Sequence, residues 1–143
     1  MKMTRSLLAV SALALSSLFV ACSDDSSSTG SGSSECSVTN GIVIVSPAAG
    51  DSYKAGETIT VVFGTDIAKN GFRIQYRPNA DAKGVDLTEE SVGPEKPDGK
   101  TCYEVKVTLD EDLVTPSKDA VIRVIPYDDQ AKGENSATFT VTE

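Results

Sequence analysis

Side chains able to do chemistry are scarce in this 143-residue chain, and histidine is absent altogether. Without histidine there is no Ser-His-Asp triad, no histidine metal ligand and no ordinary general base for neutral pH. The three cysteines are one fewer than a four-cysteine zinc site needs. Carboxylates occur as sequence neighbours, as in Glu89-Glu90 and Asp128-Asp129, and such neighbours do not face each other across a cleft as glycoside hydrolysis requires. We therefore predict no catalytic residue, no metal site and no cofactor.

The overall charge narrows the class of partner. The chain has 13 basic and 21 acidic side chains, which gives a formal net charge of −8. Nucleic acids bind basic surfaces, so we predict no nucleic-acid partner. The length allows one domain.

The N-terminal segment has the pattern of an export signal. Lys2 and Arg5 precede an apolar run that ends at Ala21, directly before Cys22. A basic start, an apolar segment of roughly 15 residues and a small-residue exit are typical of a secretory signal, too short for a spanning helix. Ala21-Cys22 resembles the lipobox of bacterial lipoproteins, which implies cleavage after Ala21 and attachment of acyl chains to Cys22. The alternative is an ordinary signal peptide followed by a chance cysteine.

A polar tether follows Cys22. Residues 23–34 read SDDSSSTGSGSS and include no apolar side chain, so we expect a flexible linker. Its start resembles the acidic export signal of lipoproteins on the outer leaflet of Bacteroidetes-like bacteria; a solvated linker is the alternative. We predict a signal peptide over 1–21, lipidated Cys22 with its tether over 22–35, and a domain over 36–143. The expected location is the bacterial cell envelope, anchored in the lipid bilayer of the outer membrane and exposed at the surface.

The elements of the domain are strands. Six segments rich in Val, Ile and Thr are typical of strands: a short apolar run at 42–45 and period-two segments at 58–63, 72–77, 103–109, 121–125 and 138–142. A weaker segment lies near 84–92. Turn residues separate the segments, and none has a helical period. The pattern predicts an all-β fold: a single Ig-like or fibronectin III-like antiparallel β-sandwich of about seven strands. Alternation assigns four aromatic side chains to its core: Phe63, Phe72, Tyr76 and Phe139.

Two stretches of the domain resemble a known family. They are Val45-Ser46-Pro47, Gly50, Tyr53 to Glu57 and Ile59-Thr60-Val61 early in the domain, and Ile122-Arg123-Val124 with Ser136 to Val141 late in it. The pattern is similar to the Ig-like domains of the Ser/Thr-rich, GPI-anchored cell-wall family (yeast cell wall synthesis-like) over roughly residues 40–143. Where that family usually has a core tryptophan, this chain has Phe63. The resemblance implies an Ig-like fold and a place among cell-wall proteins.

Two cysteines remain if Cys22 is lipidated, and an even pair in an oxidising compartment favours a disulfide. Cys36 precedes the first strand and Cys102 opens the strand that would be E in an Ig-like sheet ordered A-B-E-D, so both lie at the same end. The strand starts would be about 10 Å apart, and the few flexible residues before Ile42 can close that gap. We predict a Cys36–Cys102 disulfide; two free thiols are the alternative.

The three arginines beyond residue 21 suggest a contact surface. Alternation directs them outward on the neighbouring strands C and F, beside an outward-facing glutamine and the expected exposed apolar residues Val121 and Ile125. The candidate binding face is Arg73, Gln75, Arg77 and Arg123. The alternative is that arginine stems cover the sheet and pair with nearby carboxylates.

These observations favour a lipid-anchored, surface or periplasm-facing protein with a non-enzymatic domain for adhesion, spacing or envelope assembly. One alternative, which the resemblance to cell-wall proteins implies, is a carbohydrate-binding module for cell-wall or plant polysaccharide. Alternation leaves Tyr53, Tyr103 and Tyr127 outside the core, too few and too scattered for a sugar-stacking platform. A second alternative is an accessory subunit of an envelope complex. The expected partners are the bilayer, through acylated Cys22, and either a glycan or an envelope protein.

Overall fold

A computed structural model describes residues 34–68 and 70–143. The predicted signal peptide over 1–21, the predicted lipidation site Cys22 and the predicted tether up to residue 33 lie outside the described residues. Within the described ranges the chain forms β-strands and two 3-10 turns, Ser34–Cys36 and Gln130–Lys132. None of the described helical segments is long and apolar enough to cross a membrane.

Nine strands occur in the described residues. They are β1 (Ile42–Ser46), β2 (Ser52–Lys54), β3 (Thr58–Thr65), β4 (Phe72–Arg77), β5 (Val85–Asp86), β6 (Tyr103–Thr108), β7 (Ser117–Pro126), β8 (Glu134–Asn135) and β9 (Phe139–Thr142). All six segments expected to be strands are strands.

The strands form two sheets. One sheet has the order β1-β3-β6, and both of its pairings are antiparallel. The other has the order β2-β9-β7-β4-β5, with β8 also paired to β7. Its pairings are antiparallel except for the parallel β2–β9 pair. The chain is thus an Ig-like or fibronectin III-like β-sandwich, as the sequence predicted.

The core lies between the inner faces of the two sheets. In β4 the alternate residues Phe72, Ile74 and Tyr76 are 0%, 0% and 1% exposed. Phe63 of β3 meets Phe72 edge-on with ring centroids 5.4 Å apart, which joins the two sheets. Phe139 is also buried. The core assignment of the four aromatic residues is therefore confirmed.

The weak segment near 84–92 joins the sheet of β4. An A-B-E-D sheet needs a fourth strand beside β6, but Val85–Asp86 pairs with β4 instead. Farther along, the backbones of Val92 and Phe72 form an isolated bridge. The chain after β4 turns back along the strand it has just left, which is the shortest connection available. In the described residues β6 is consequently an edge strand.

The Cys36–Cys102 disulfide is present, with Cα atoms 5.2 Å apart and a sequence separation of 66 residues. Cys36 ends the first 3-10 turn, is fully buried, and crosses β3 at Gly64. A Cβ atom on Gly64 would overlap the carbonyl oxygen of Cys36 and come within 2.7 Å of its carbonyl carbon. The absence of a side chain at Gly64 therefore lets this segment reach Cys102.

Hydrogen bonds fix the loops around the disulfide. Val38 N donates to the Gly99 carbonyl (3.0 Å), and Gly99 N donates to the Thr65 carbonyl (2.9 Å). The Asp98 carboxylate accepts from the hydroxyl and backbone N–H of Thr101 (both 2.7 Å) and from Lys100 N (2.8 Å). These bonds to its ionised form lower the pKa of Asp98 to about 2. The loop before Cys102 is thus held in one conformation against β3.

Candidate functional site

The predicted binding face lies on the outer side of β4 and β7. Because Phe72, Ile74 and Tyr76 point into the core, the residues between them point outward. We call the following set the arginine face: Arg73, Gln75 and Arg77 on β4, with Arg123 on β7. Gln75 lies directly opposite Arg123 in the antiparallel register, and Arg77 lies opposite Val121. Arg77 and Arg123 are therefore diagonal neighbours, a spacing of about 7–8 Å at Cα that long side chains can span.

One end of the arginine face has a carboxylate partner. Asp86 of β5 lies opposite Gln75, and its Oδ2 is 3.7 Å from Nη1 of Arg73. Gln75 Nε2 donates a 2.8 Å hydrogen bond to the other Asp86 oxygen. The Asp86 side chain is 46% exposed, so solvent screens this ion pair and it contributes at most about 1 kcal/mol to stability.

The other end has two guanidinium groups and no carboxylate. Arg123 Nη1 donates to Asn135 Oδ1 at 3.0 Å, and Arg77 Nη1 donates to the Ala80 carbonyl at 3.4 Å. Among residues 34–68 and 70–143, neither arginine forms an ion pair. Burial and the positive charge of Arg123 lower the pKa of Arg77. Two like charges thus lie close together, held by neutral groups.

Two glycines bring backbone against this pair. A Cβ atom on Gly84 would lie 2.6 Å from Gln75 Oε1 and 3.2 Å from Arg77 Nε. A Cβ atom on Gly133 would lie 3.0 Å from both Nε and Nη2 of Arg123. Neither glycine has a positive φ, so what each position requires is space. The two backbone segments flank the arginines and leave them half-buried.

The expected exposure of Val121 and Ile125 is wrong. Their exposed fractions are 2% and 4%. The segment between β7 and β8 folds back over Ile125: a Cβ atom on Gly133 would lie 3.1 Å from Ile125 Cγ1. Val121 lies opposite Arg77, whose aliphatic stem can cover it. Val121 and Ile125 therefore give a ligand no exposed apolar surface beside the arginine face.

The three tyrosines expected outside the core do not make a common platform. Tyr53 packs edge-on against Phe139 with ring centroids 5.7 Å apart, and Tyr103 packs against Phe63 at 6.1 Å. Both rings lie outside the fully buried core, as expected, but they are partly buried against it. Tyr127 is 37% exposed. A sugar-stacking surface built from all three rings is therefore absent.

The described surface has further recesses but no cluster of metal ligands. One depression of about 510 Å³ is lined mainly by small residues near Gly71 and Gly93. Another, of about 340 Å³, lies beside Val114 and Pro116. No group of three or more Cys, Asp or Glu side chains in the described residues is arranged to hold a metal ion.

Four residues that shape the arginine face were missed from sequence: Asp86, Asn135, Gly84 and Gly133. Asp86 and Asn135 belong to two-residue strands, which are too short to show an alternation. The two glycines lie in sequences that also suit ordinary turns. The arginines themselves were found because β4 and β7 are long enough for alternation to assign their faces.

No protein-family model matches the chain, and no curated protein matches it. A solved structure described as "Structures of Clostridium thermocellum CbhA fibronectin(III)-like modules" is similar at 15% identity and a TM-score of 0.34. The match covers 70% of this chain and 91% of that chain. The order and register of the two sheets define the fold as an Ig-like or fibronectin III-like sandwich.

Proposed function

We propose that this chain is a lipid-anchored protein of the bacterial cell envelope, whose Ig-like domain is non-enzymatic and serves adhesion, spacing or envelope assembly. The observation that carries the proposal is the disulfide between Cys36 and Cys102. Disulfides persist in oxidising compartments outside the cytosol. With two of the three cysteines paired, Cys22 is left as the acylation site that Ala21-Cys22 suggests.

The order of segments fits display away from a membrane. The Ser/Gly/Asp tether follows Cys22 and ends at the domain. About 12 residues of such composition span roughly 20 Å on average, enough to hold a domain just clear of lipid head groups. The acidic start of the tether favours the outer membrane and its outer leaflet.

The packing of Tyr53 and Tyr103 against the core counts against a carbohydrate-binding module that works by ring stacking. An accessory role in an envelope complex remains compatible with the proposal, because a spacer or an adhesion domain can also serve as a subunit.

The test is incorporation of labelled palmitate into the full chain expressed in a bacterial host that acylates lipoproteins. We expect label in the natural chain and none in Cys22→Ser, because only the Cys22 thiol accepts the lipid. The matched control is the double variant Cys36→Ser with Cys102→Ser, which we expect to keep the label. Protease treatment of intact cells then reports whether the domain is at the surface.

Secretion of the natural chain and Cys22→Ser at the same mass, both without label, would show that the chain is not a lipoprotein. Label with full protection from protease in intact cells would place the domain in the periplasm and remove the surface role.

A further inference from the structure

We propose that Arg77 and Arg123 form a binding site for the acidic group of a polysaccharide, a carboxylate or a sulfate held between the two guanidinium groups. The proposal rests on the proposed function only for the envelope location, which brings the domain into contact with polysaccharide. The carboxylate and the sulfate share one chemistry, an anion with oxygens that accept hydrogen bonds from a planar guanidinium.

Charge is the first support. The chain has a net charge of −8, yet within the described residues these two half-buried arginines are diagonal neighbours and neither has a carboxylate within ion-pair distance. Asp86, which lies on the same face, is engaged with Arg73 and Gln75. An anion between Arg77 and Arg123 would offset their repulsion and form charge-assisted hydrogen bonds, stronger than those to the Ala80 and Asn135 oxygens.

The shape of the site is the second support. Gly84 and Gly133 bring backbone against the two guanidinium groups from different segments, and this limits the directions in which each side chain can move. Arg123 is also held by Asn135, and Gln75 by Asp86. A side chain already held in place loses less rotamer freedom when the ligand binds. The site is preorganised to that extent.

The neighbouring groups favour a hydroxyl-rich ligand. Asn135 uses its Oδ1 atom to accept from Arg123, which leaves its amide N–H groups as donors. Gln75 likewise donates to Asp86 and retains acceptor capacity on Oε1. Fixed amides beside a charged pair suit sugar hydroxyls, each of which both donates and accepts.

Other macromolecules fit less well. The centre of a protein interface is apolar and rich in aromatic residues. Beside the arginine face, Val121 and Ile125 are buried and cannot provide such a centre. Nucleic acid requires a broadly basic surface and often aromatic rings for stacking, against a net charge of −8. The same negative charge disfavours densely charged polymers, so we expect a ligand whose acidic groups are sparse along neutral sugars.

The test uses three dextran probes with one backbone: lightly carboxymethylated, lightly sulfated and unsubstituted. Binding to the purified full chain in neutral detergent is measured by calorimetry at low and high salt. We expect the natural chain to bind an acidic dextran, less tightly at high salt, and not the unsubstituted one. The double variant Arg77→Gln with Arg123→Gln should bind roughly tenfold more weakly or worse.

The control is Lys54→Gln with Lys106→Gln, which changes the net charge equally at exposed positions on β2 and β6. We expect its affinity to stay within about twofold of the natural chain. A second variant, Gly133→Ala, keeps both charges but crowds Arg123, and should also weaken binding. Thermal unfolding of each variant shows whether it is folded.

Equal loss of affinity in the arginine and lysine variants would assign the effect to net charge and overturn the site. Binding of the natural chain to unsubstituted dextran, or to none of the three probes, would also overturn the site. Arginine-dependent capture of an envelope protein without dextran binding would overturn the polysaccharide. A tighter response to one acidic dextran identifies which anion the site takes. Palmitate labelling on the same preparations reports anchoring separately, so the two proposals can fail independently.

Discussion

Gly64 lies where an added side chain would collide with backbone, the carbonyl group of Cys36. The preceding residue, Phe63, points into the core. On the other side of β3, the backbone of Cys36 lies against Gly64. The φ angle of Gly64 is not positive, so the requirement is one of space. Any side chain there competes with the backbone that leads into the disulfide.

The substitution Gly64→Ala should destabilise the domain by about 3 kcal/mol, because the added methyl group overlaps backbone rather than a flexible side chain. Thermal unfolding would show this as a fall in Tm of roughly 12–24 °C. The matched control is Gly41→Ala, where the new Cβ would make an ordinary 3.5 Å contact with Val38 Cγ2. That variant should stay within about 1 kcal/mol of the natural chain. Equal Tm values for the two variants would contradict the crossing at Gly64.

The switch between β8 and β9 depends on Ser136. Both strands pair with the same edge of β7: β8 at Arg123 and Val124, and β9 at Ser117 and Ala120. Between them, Ser136 N donates to the Ile122 carbonyl (2.7 Å) and Ser136 Oγ accepts from Ile122 N (3.0 Å). The side chain thus continues the ladder where neither strand reaches.

Replacing Ser136 with alanine should cost about 1–3 kcal/mol, because the N–H of fully buried Ile122 loses its acceptor. Urea unfolding gives the free energy, and amide exchange should show faster exchange at Ile122. Ser91→Ala is the control: Ser91 is exposed and donates to the Asn70 carbonyl, where water can replace it. If Ser136→Ala matches Ser91→Ala in stability, the role of Ser136 is wrong.

Strand length decided what the sequence could reveal. β4 alternates over six residues, so its core side and its arginines could both be assigned. The two-residue strands β5 and β8 carry no period, and for that reason Asp86 and Asn135 escaped detection. Alternation also says which side of a sheet a residue faces, not what covers that side. Ile125 was therefore expected at the surface, although the chain near Gly133 folds over it.

At the scale of the whole molecule, the disulfide links two residues that are 66 positions apart in the sequence, Cys36 and Cys102. Closing a loop of that length restricts the unfolded chain and should stabilise the fold by about 4 kcal/mol. We expect dithiothreitol, or the double variant Cys36→Ala with Cys102→Ala, to lower the free energy of unfolding by about this amount in urea titrations. The reducing agent should leave the double variant unchanged. A natural chain equally stable with and without the agent would contradict the expectation.

The same covalent link has a mechanical consequence. Tension applied to the domain through its N-terminal segment enters at Cys36 and passes through the sulfur atoms to Cys102. Residues 37–101, which include β1 to β5, lie inside the closed loop and carry none of the covalent tension. A pull on that segment therefore cannot separate β1 from β3. The strand that directly follows Cys102, β6, is the first to bear the force. While the disulfide is intact, the linked domain can lengthen only by the unravelling of residues beyond Cys102, and the closed loop adds nothing to its length.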